Sequence, residues 1–285
     1  MDPTQLVIQA INGWLQNVAG AITPPALKLA GGLIFQTPSI PDLPGVQQVW
    51  SLVAGVADLL LVLALTGGGV LIMSSGTFEH MYTTKRLLPR LVLAAVLSNA
   101  SLALCGALIG FDNALVADLV GSKPQDTLWV QVTGALMNPD PATQLLSSLL
   151  AIVIAIIAVL LVVVYLARDL LLIVGTVIAP LALAMYSLPP LAELSSLWCR
   201  AYVTALFVQV AQAVLLSVGL QVARHAGTLG VPASGLLDGL MLVTLLYLSL
   251  RLPFAAYHWA FGHGLGANRV VQTAIATARA ARSAF

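Results

Sequence analysis

LLSSLLAIVIAIIAVLLVVVYLARDLLLIVGTVIAPLALAMYS, residues 145–187, carries only two charges, Arg168 and Asp169, near its middle. At about 1.5 Å of rise per residue such a helix would run to roughly twice the ~30 Å hydrocarbon core of a bilayer. Arg168-Asp169 is therefore the natural break. It predicts two spans, 145–167 and 170–187, joined as a tight helical hairpin whose tip lies at the cytoplasmic interface. Residues 151–164, AIVIAIIAVLLVVV, hold no polar side chain and are expected to face lipid.

The rest of the chain agrees with a membrane setting. Of 285 residues, 59% are hydrophobic and 8% charged, and the mean hydropathy is +0.98. A soluble domain carries about a quarter charged residues, so this chain has too few polar groups to cover a soluble surface. Further apolar runs near 50–74, 91–111, 201–223 and 236–260 approach the ~20 residues a transmembrane helix needs. The fold class this predicts is all-α, a polytopic transmembrane helical bundle of five or six spans.

Three segments are expected: residues 1–46, an amphipathic N-terminal helix and a proline-rich connector; 47–260, the transmembrane domain; and 261–285, a basic tail. In the first, Val7, Ile11, Trp14, Leu15 and Val18 share one helical face, and Gln5, Gln9, Asn12 and Gln16 the other. A strong apolar face without charge suits a helix lying at the membrane interface. QTPSIPDLPG, 36–45, reads as the connector. MDPTQLVIQ has neither a basic start nor an apolar core of signal length, so no cleaved signal peptide is expected.

Lys85 and Arg86 place the 75–90 loop in the cytoplasm under the positive-inside rule, and the N-terminus and the 112–144 loop outside. With a hairpin at Arg168-Asp169, the count puts Arg224-His225 inside. A full crossing by 236–260, which includes Asp238, Arg251 and Pro253, then puts Arg269, Arg279 and Arg282 outside, against the rule.

Charge and motif content exclude several functions. The net charge of +1 gives no global basic field for nucleic acid. Cys105 and Cys199 make neither a disulfide framework nor a metal site. His80, His225, His258 and His263 lack metal-ligand spacing; beside Tyr257 and Trp259 the last two suit an interfacial aromatic belt. HExxH, GxSxG, GxGxxG and P-loop motifs are missing. No enzyme, cofactor or metal is expected.

The residues that invite a role are the polar ones inside the spans. Ala94, Ser98, Ser101 and Cys105 fall on one helical face at steps of four, three and four. Small residues there allow a close helix approach, and Asn99 beside them would be costly facing lipid. Gln209 and Gln212 repeat the theme, with Thr204, Ser217 and Gln221. Ser98, Asn99, Ser101, Gln209 and Gln212 are thus candidates for helix packing or for lining a wet passage. Asp58, Arg90, Arg168, Asp169 and Arg251 are the intramembrane or interfacial charges, and Asp58 with Arg251 is expected as a structural ion pair or as snorkelling groups, ahead of a proton relay. Gly175 and Pro180 can loosen a helix ladder into a kink or a hinge.

Several stretches together resemble the TrbL family of conjugal transfer proteins. They are WSLVAGVADLLLVLALTGGGVLIM (50–73), YTTKRLLPRLVLAAVLSNASLALCGALI (82–109) and YLARDLLLIVGTVIAPLALAMYSLPPLAELSSLWCRAYVTALFVQVAQAVLL (165–216). The positions that carry the pattern are Arg90, Asn99, Arg168, Pro180, Trp198 and Arg200. The resemblance implies a polytopic inner-membrane subunit of a type IV secretion system, with an external N-terminus. It also implies partnership with like chains, with the system's ATPases and with its surface apparatus, in moving DNA and protein across the membrane. The large extra domain of longer members is missing here, so contact with the outer layers is not implied. The competing reading from the residues is a self-contained small-molecule transporter or permease, which would carry internal repeats and paired broken helices. No internal repeat is found. An intramembrane enzyme is the third reading, with no motif behind it.

Overall fold

The computed structural model describes residues 3–74, 79–120, 144–188, 191–224 and 235–262, and these contain helices and no strand. The helices are α1 (Pro3–Phe35), α2 (Pro44–Ser74), α3 (Glu79–Asn99), α4 (Ser101–Val120), α5 (Gln144–Ala184), α6 (Ala192–Arg224) and α7 (Gly235–Gly262). Short 3₁₀ turns occupy Ile40–Asp42 and Met185–Ser187. Six of the seven helices, all but α3, are long and apolar enough to cross a membrane.

The hairpin expected at Arg168-Asp169 does not form. α5 runs through both residues as one helix of 41 residues. No glycine or proline interrupts 165–172, and charge alone does not break a helix when its partners lie on other helices. Both side chains are buried. α5 is consequently the mast of the bundle, and every other helix packs on it.

Contacts along the mast fix the direction of each neighbour. α1 runs parallel to it: Gln16 meets Ser148, and Ala26, Leu27, Ala30 and Ile34 pack with Ile154, Ala158, Leu161 and Tyr165. α2 takes over where α1 stops, in the same direction, with Val46 near Leu172 and Ala179 and Leu61 near Ala184. α3 and α4 return antiparallel, from Ala94 beside Ala184 to Asp112 beside Arg168. α6 is antiparallel, from Trp198 at Gly175 to Ala205 at Arg168. α7 is parallel again, from Gly239 against Leu150 to Ser249 at Tyr165.

Two further expectations change. Residues 151–164 face lipid on one side only: Val153, Ile156, Val159, Leu160 and Val163 are exposed, while Ala151, Ile154, Ala155, Ala158 and Leu161 are buried under α1 and its neighbours. In a bilayer, apolarity does not tell lipid from protein; small side chains that allow close approach decide instead, and alanines recur at these contacts. The N-terminal helix is also longer than the interfacial helix expected, and residues 6–35 suffice to cross. Its polar Asn12 is buried while Val7, Ile11 and Trp14 are exposed.

The connector is part of the core. Thr37 and Ile40 are fully buried, and Gly106 of α4 lies so close that an added Cβ would sit 2.8 Å from Pro41 Cγ. Between α3 and α4 the chain is irregular only at Ala100. Its N–H still bonds Val96 O at 2.9 Å, and its carbonyl accepts from Leu104 at 2.9 Å.

Candidate functional site

Arg168 is the centre of a buried polar knot built by four parts of the chain. Its Nε donates to the Ala205 carbonyl of α6 at 2.8 Å, Nη1 donates to Thr37 Oγ1 of the connector at 3.2 Å, and Nη2 donates to Gln209 Oε1. Asp169 Oδ1 lies 3.3 Å from Nη1, and Asp112 Oδ2 of α4 lies 3.6 Å from Nη2. A planar, five-donor guanidinium suits this work, since its N–H groups reach α4, α6 and the connector at once.

Asn113, next to Asp112, closes the knot around the interrupted backbone. Its Oδ1 accepts from Thr37 N–H at 2.9 Å and its Nδ2 donates to Thr37 O at 2.9 Å. One carboxamide thus imitates a β-type pairing for a residue outside any helix. Non-helical backbone at membrane depth is tolerated only when it is buried in protein and satisfied in this way. Gln209 Nε2 adds a bond to Asn113 Oδ1 at 3.3 Å, and Thr37 Oγ1 donates to Gln209 Oε1. The surrounding Asp112 Oδ2 and Tyr257 OH have no hydrogen-bond partner.

The other sequence candidates sit at helix crossings. Ser98 Oγ donates to Pro180 O at 2.9 Å, tying α3 to α5, and Trp50 Nε1 donates to Ser101 Oγ at 3.0 Å, tying α2 to α4. Ala94, Ser98, Ser101 and Cys105 are all buried. Gln212 Nε2 donates to Ser249 O at 3.1 Å, and Ser249 Oγ pairs with Tyr165 OH at 2.8 Å. Trp198 Nε1 donates to Gly175 O at 3.0 Å and its ring stacks on Tyr202, 5.2 Å between centroids. Gly175 serves this close approach, because a Cβ there would lie 2.9 Å from the Tyr202 ring. Arg90 lies over the Tyr186 ring at 5.3 Å.

A second, smaller cluster is exposed. Asn99 Nδ2 donates to Asp58 Oδ1 at 3.1 Å and to Ala95 O at 3.1 Å, with both side chains on the outer surface of α2 and α3. The expected Asp58–Arg251 ion pair is absent. Arg251 is exposed on α7, with Nη1 3.4 Å from Tyr247 OH. The cause is distance along the mast: Asn99 is adjacent to Ser98, which meets Pro180, whereas Arg251 is adjacent to the Ser249–Tyr165 contact. Fifteen residues of helix, about 22 Å, separate those two points.

Sequence reading assigned Arg168 and Asp169 to a hairpin tip and did not identify Thr37, Asp112 or Asn113 as their partners. A signal for Asp112-Asn113 was available: adjacent polar residues directly after an apolar run, in a chain with few of them. No group of His, Cys, Asp and Glu among the described residues could hold a metal ion. A family model described as "TrbL/VirB6 plasmid conjugal transfer like protein" matches residues 2–284. No curated protein and no solved structure matches the chain.

Proposed function

The chain belongs to the TrbL/VirB6 family of plasmid conjugal transfer proteins, and from that premise we propose that it is a non-enzymatic channel or scaffold subunit of a conjugative type IV secretion system. It is a multi-pass membrane protein whose family places it among conjugal transfer components. In this reading it associates with like chains and with other secretion subunits, including the ATPases. DNA and protein pass through the assembly and not through a charged lumen in one chain.

The observation that carries this reading is the division of the intramembrane polar groups. Buried ones bond to each other across helices, as a rigid scaffold requires, while Asp58 and Asn99 face outward, where another protein must cover them. The runner-up, a self-contained transporter, draws support from the buried break between α1 and α2 beside charged groups. Against it, nearly every donor and acceptor at that break is already satisfied within the chain.

Sidedness also becomes consistent. Residues 112–120 of the expected external loop belong to α4; if α5 crosses once, inward from the 121–143 segment on the outside, then α6 runs outward and α7 inward. Residues after Gly262, with Arg269, Arg279 and Arg282, then fall on the cytoplasmic side with Lys85 and Arg86, as the positive-inside rule asks. Cysteines introduced singly as His80→Cys, Asp126→Cys and His225→Cys test this in membranes, with Cys105 and Cys199 replaced. We expect 80 to label from the cytoplasm and 126 and 225 from outside; cytoplasmic labelling of 225 would restore a reversal within α5.

The functional test is a mating assay on a deletion strain complemented with Asn99→Leu. Insertion should be normal and transfer reduced. Wild-type transfer would remove Asn99 from the assembly surface.

A further inference from the structure

α2 is the least buried of the six spans: 17% of its most apolar stretch is covered, against 44% for α6. Along its open side, Ser51, Gly55, Asp58, Val62 and Leu65 are exposed at steps of four, three, four and three. That is the spacing of a seam for another helix. An added Cβ at Gly55 meets nothing, so the groove beside Ser51 and Gly55 is open to a bulky side chain. Within the seam stands Asp58, a carboxylate whose described partner is the neutral Asn99. Left against lipid, such a group is costly, and in membrane proteins it is met by an opposite charge.

Among the cations whose side chains are described, Arg168 is buried in the knot, Arg90 is stacked on Tyr186, Lys28 lies on α1 beside the 154–161 stretch of the mast, and Arg251 lies too far along the mast. Arg200 on α6 is exposed and has no described partner. It lies between Trp198, bonded at Gly175, and Tyr202, bonded at Thr176. The Asp58 level is marked by Pro180, five residues from Gly175, or about 8 Å of helix. An arginine side chain can bridge that offset. On the same open face of α6 follow Val203 and Phe207, 55% and 69% exposed.

We propose that α2 of one copy packs antiparallel against α6 of the next, with Arg200 seated at the Gly55 turn and its guanidinium reaching one turn along to Asp58. α2 runs with the mast and α6 against it, so two copies with the same orientation in the membrane present these helices antiparallel. Residues then pair in reverse order at matching heights: four residues before Gly55 is Ser51, and three after Arg200 is Val203. Val203 thus meets Ser51, and the arginine stem fills the space beside Gly55. α2 contacts α3, α5 and the connector, whereas α6 contacts α1, α4, α5 and α7. The two surfaces therefore differ, and their contact is head-to-tail, closing into a ring when repeated about the membrane normal. This interface rests on the reading that copies of the chain associate.

The test uses the full chain in native membranes, with Cys105 and Cys199 replaced by alanine and Ser51→Cys combined with Val203→Cys. Oxidation should give a ladder of covalent multimers, and either cysteine alone should give none. Leu59→Cys with Ser196→Cys, on the other side of the Gly55 turn, should give the same ladder and guards against misfolding of one variant. Asp58→Arg or Arg200→Asp should each lower the ladder about tenfold, and the double reversal should recover it. Multimers on native gels without a ladder from either pair would overturn the interface and leave association of copies intact. A chain that runs only as a monomer would overturn both. A ladder with unaltered DNA transfer in the single reversals would keep the interface and break the proposed transfer role instead.

Discussion

Arg168 and Asp58 are both charges inside apolar helices, and their surroundings differ at each level. Arg168 is 4% exposed and reaches the connector, α4 and α6 with its donors. Asp58 lies on the surface with one carboxamide beside it. A buried ionic group adds little net stability when complete, but leaving one member unpaired is expensive. An exposed one facing lipid is expensive until something covers it. The first arrangement ties one chain's helices together, and the second, under the proposed interface, is where chains meet. Both are charges in apolar helices; what packs around each separates them.

The difference is sharpest on removing each charge. Arg168→Met should leave two buried carboxylates, Asp112 and Asp169, without their cation and destabilise the folded chain by about 3–5 kcal/mol, read as loss of folded protein in mild detergent. Stability equal to wild type would mean the knot is incidental. Asn113→Leu comes next: it strips both bonds from Thr37 and should cost about 2–3 kcal/mol, since the N–H and C=O of Thr37 stay buried and unpaired. Proteolysis within 36–43 would detect the loosened connector, and wild-type resistance would show that the break holds by packing alone. Smallest in stability is Asp58→Asn, which removes no buried contact and should leave the isolated chain at least as stable as wild type while reducing the multimer on native gels. A multimer unchanged by that substitution would return Asp58 to an ordinary surface role.

How much of this could be read from sequence follows from what sequence encodes directly. Helix content, membrane setting and the small-residue face from Ala94 to Cys105 follow from periodicity and composition, which are local properties. The single helix through Arg168-Asp169 was not legible, because its stability depends on Thr37, Asp112 and Gln209, distant in the chain. The same non-locality hid the burial of one face of 151–164, whose apolar residues satisfy lipid and protein equally well. It also made Asp58–Arg251 look like a pair: the charges match, but their heights on α5 do not. Gln209 and Gln212 were recognisable as helix-crossing groups, though not their partners, Arg168 and Ser249.

One side-by-side measurement reaches the centre of this picture: thermal stability and multimer fraction of Arg168→Met and Asp58→Asn, prepared identically. The expected result is a crossed pattern, with Arg168→Met losing stability and Asp58→Asn keeping stability but losing multimer. Equal loss of stability in both variants, or a stable Arg168→Met chain, would contradict the division between folding charges and assembly charges.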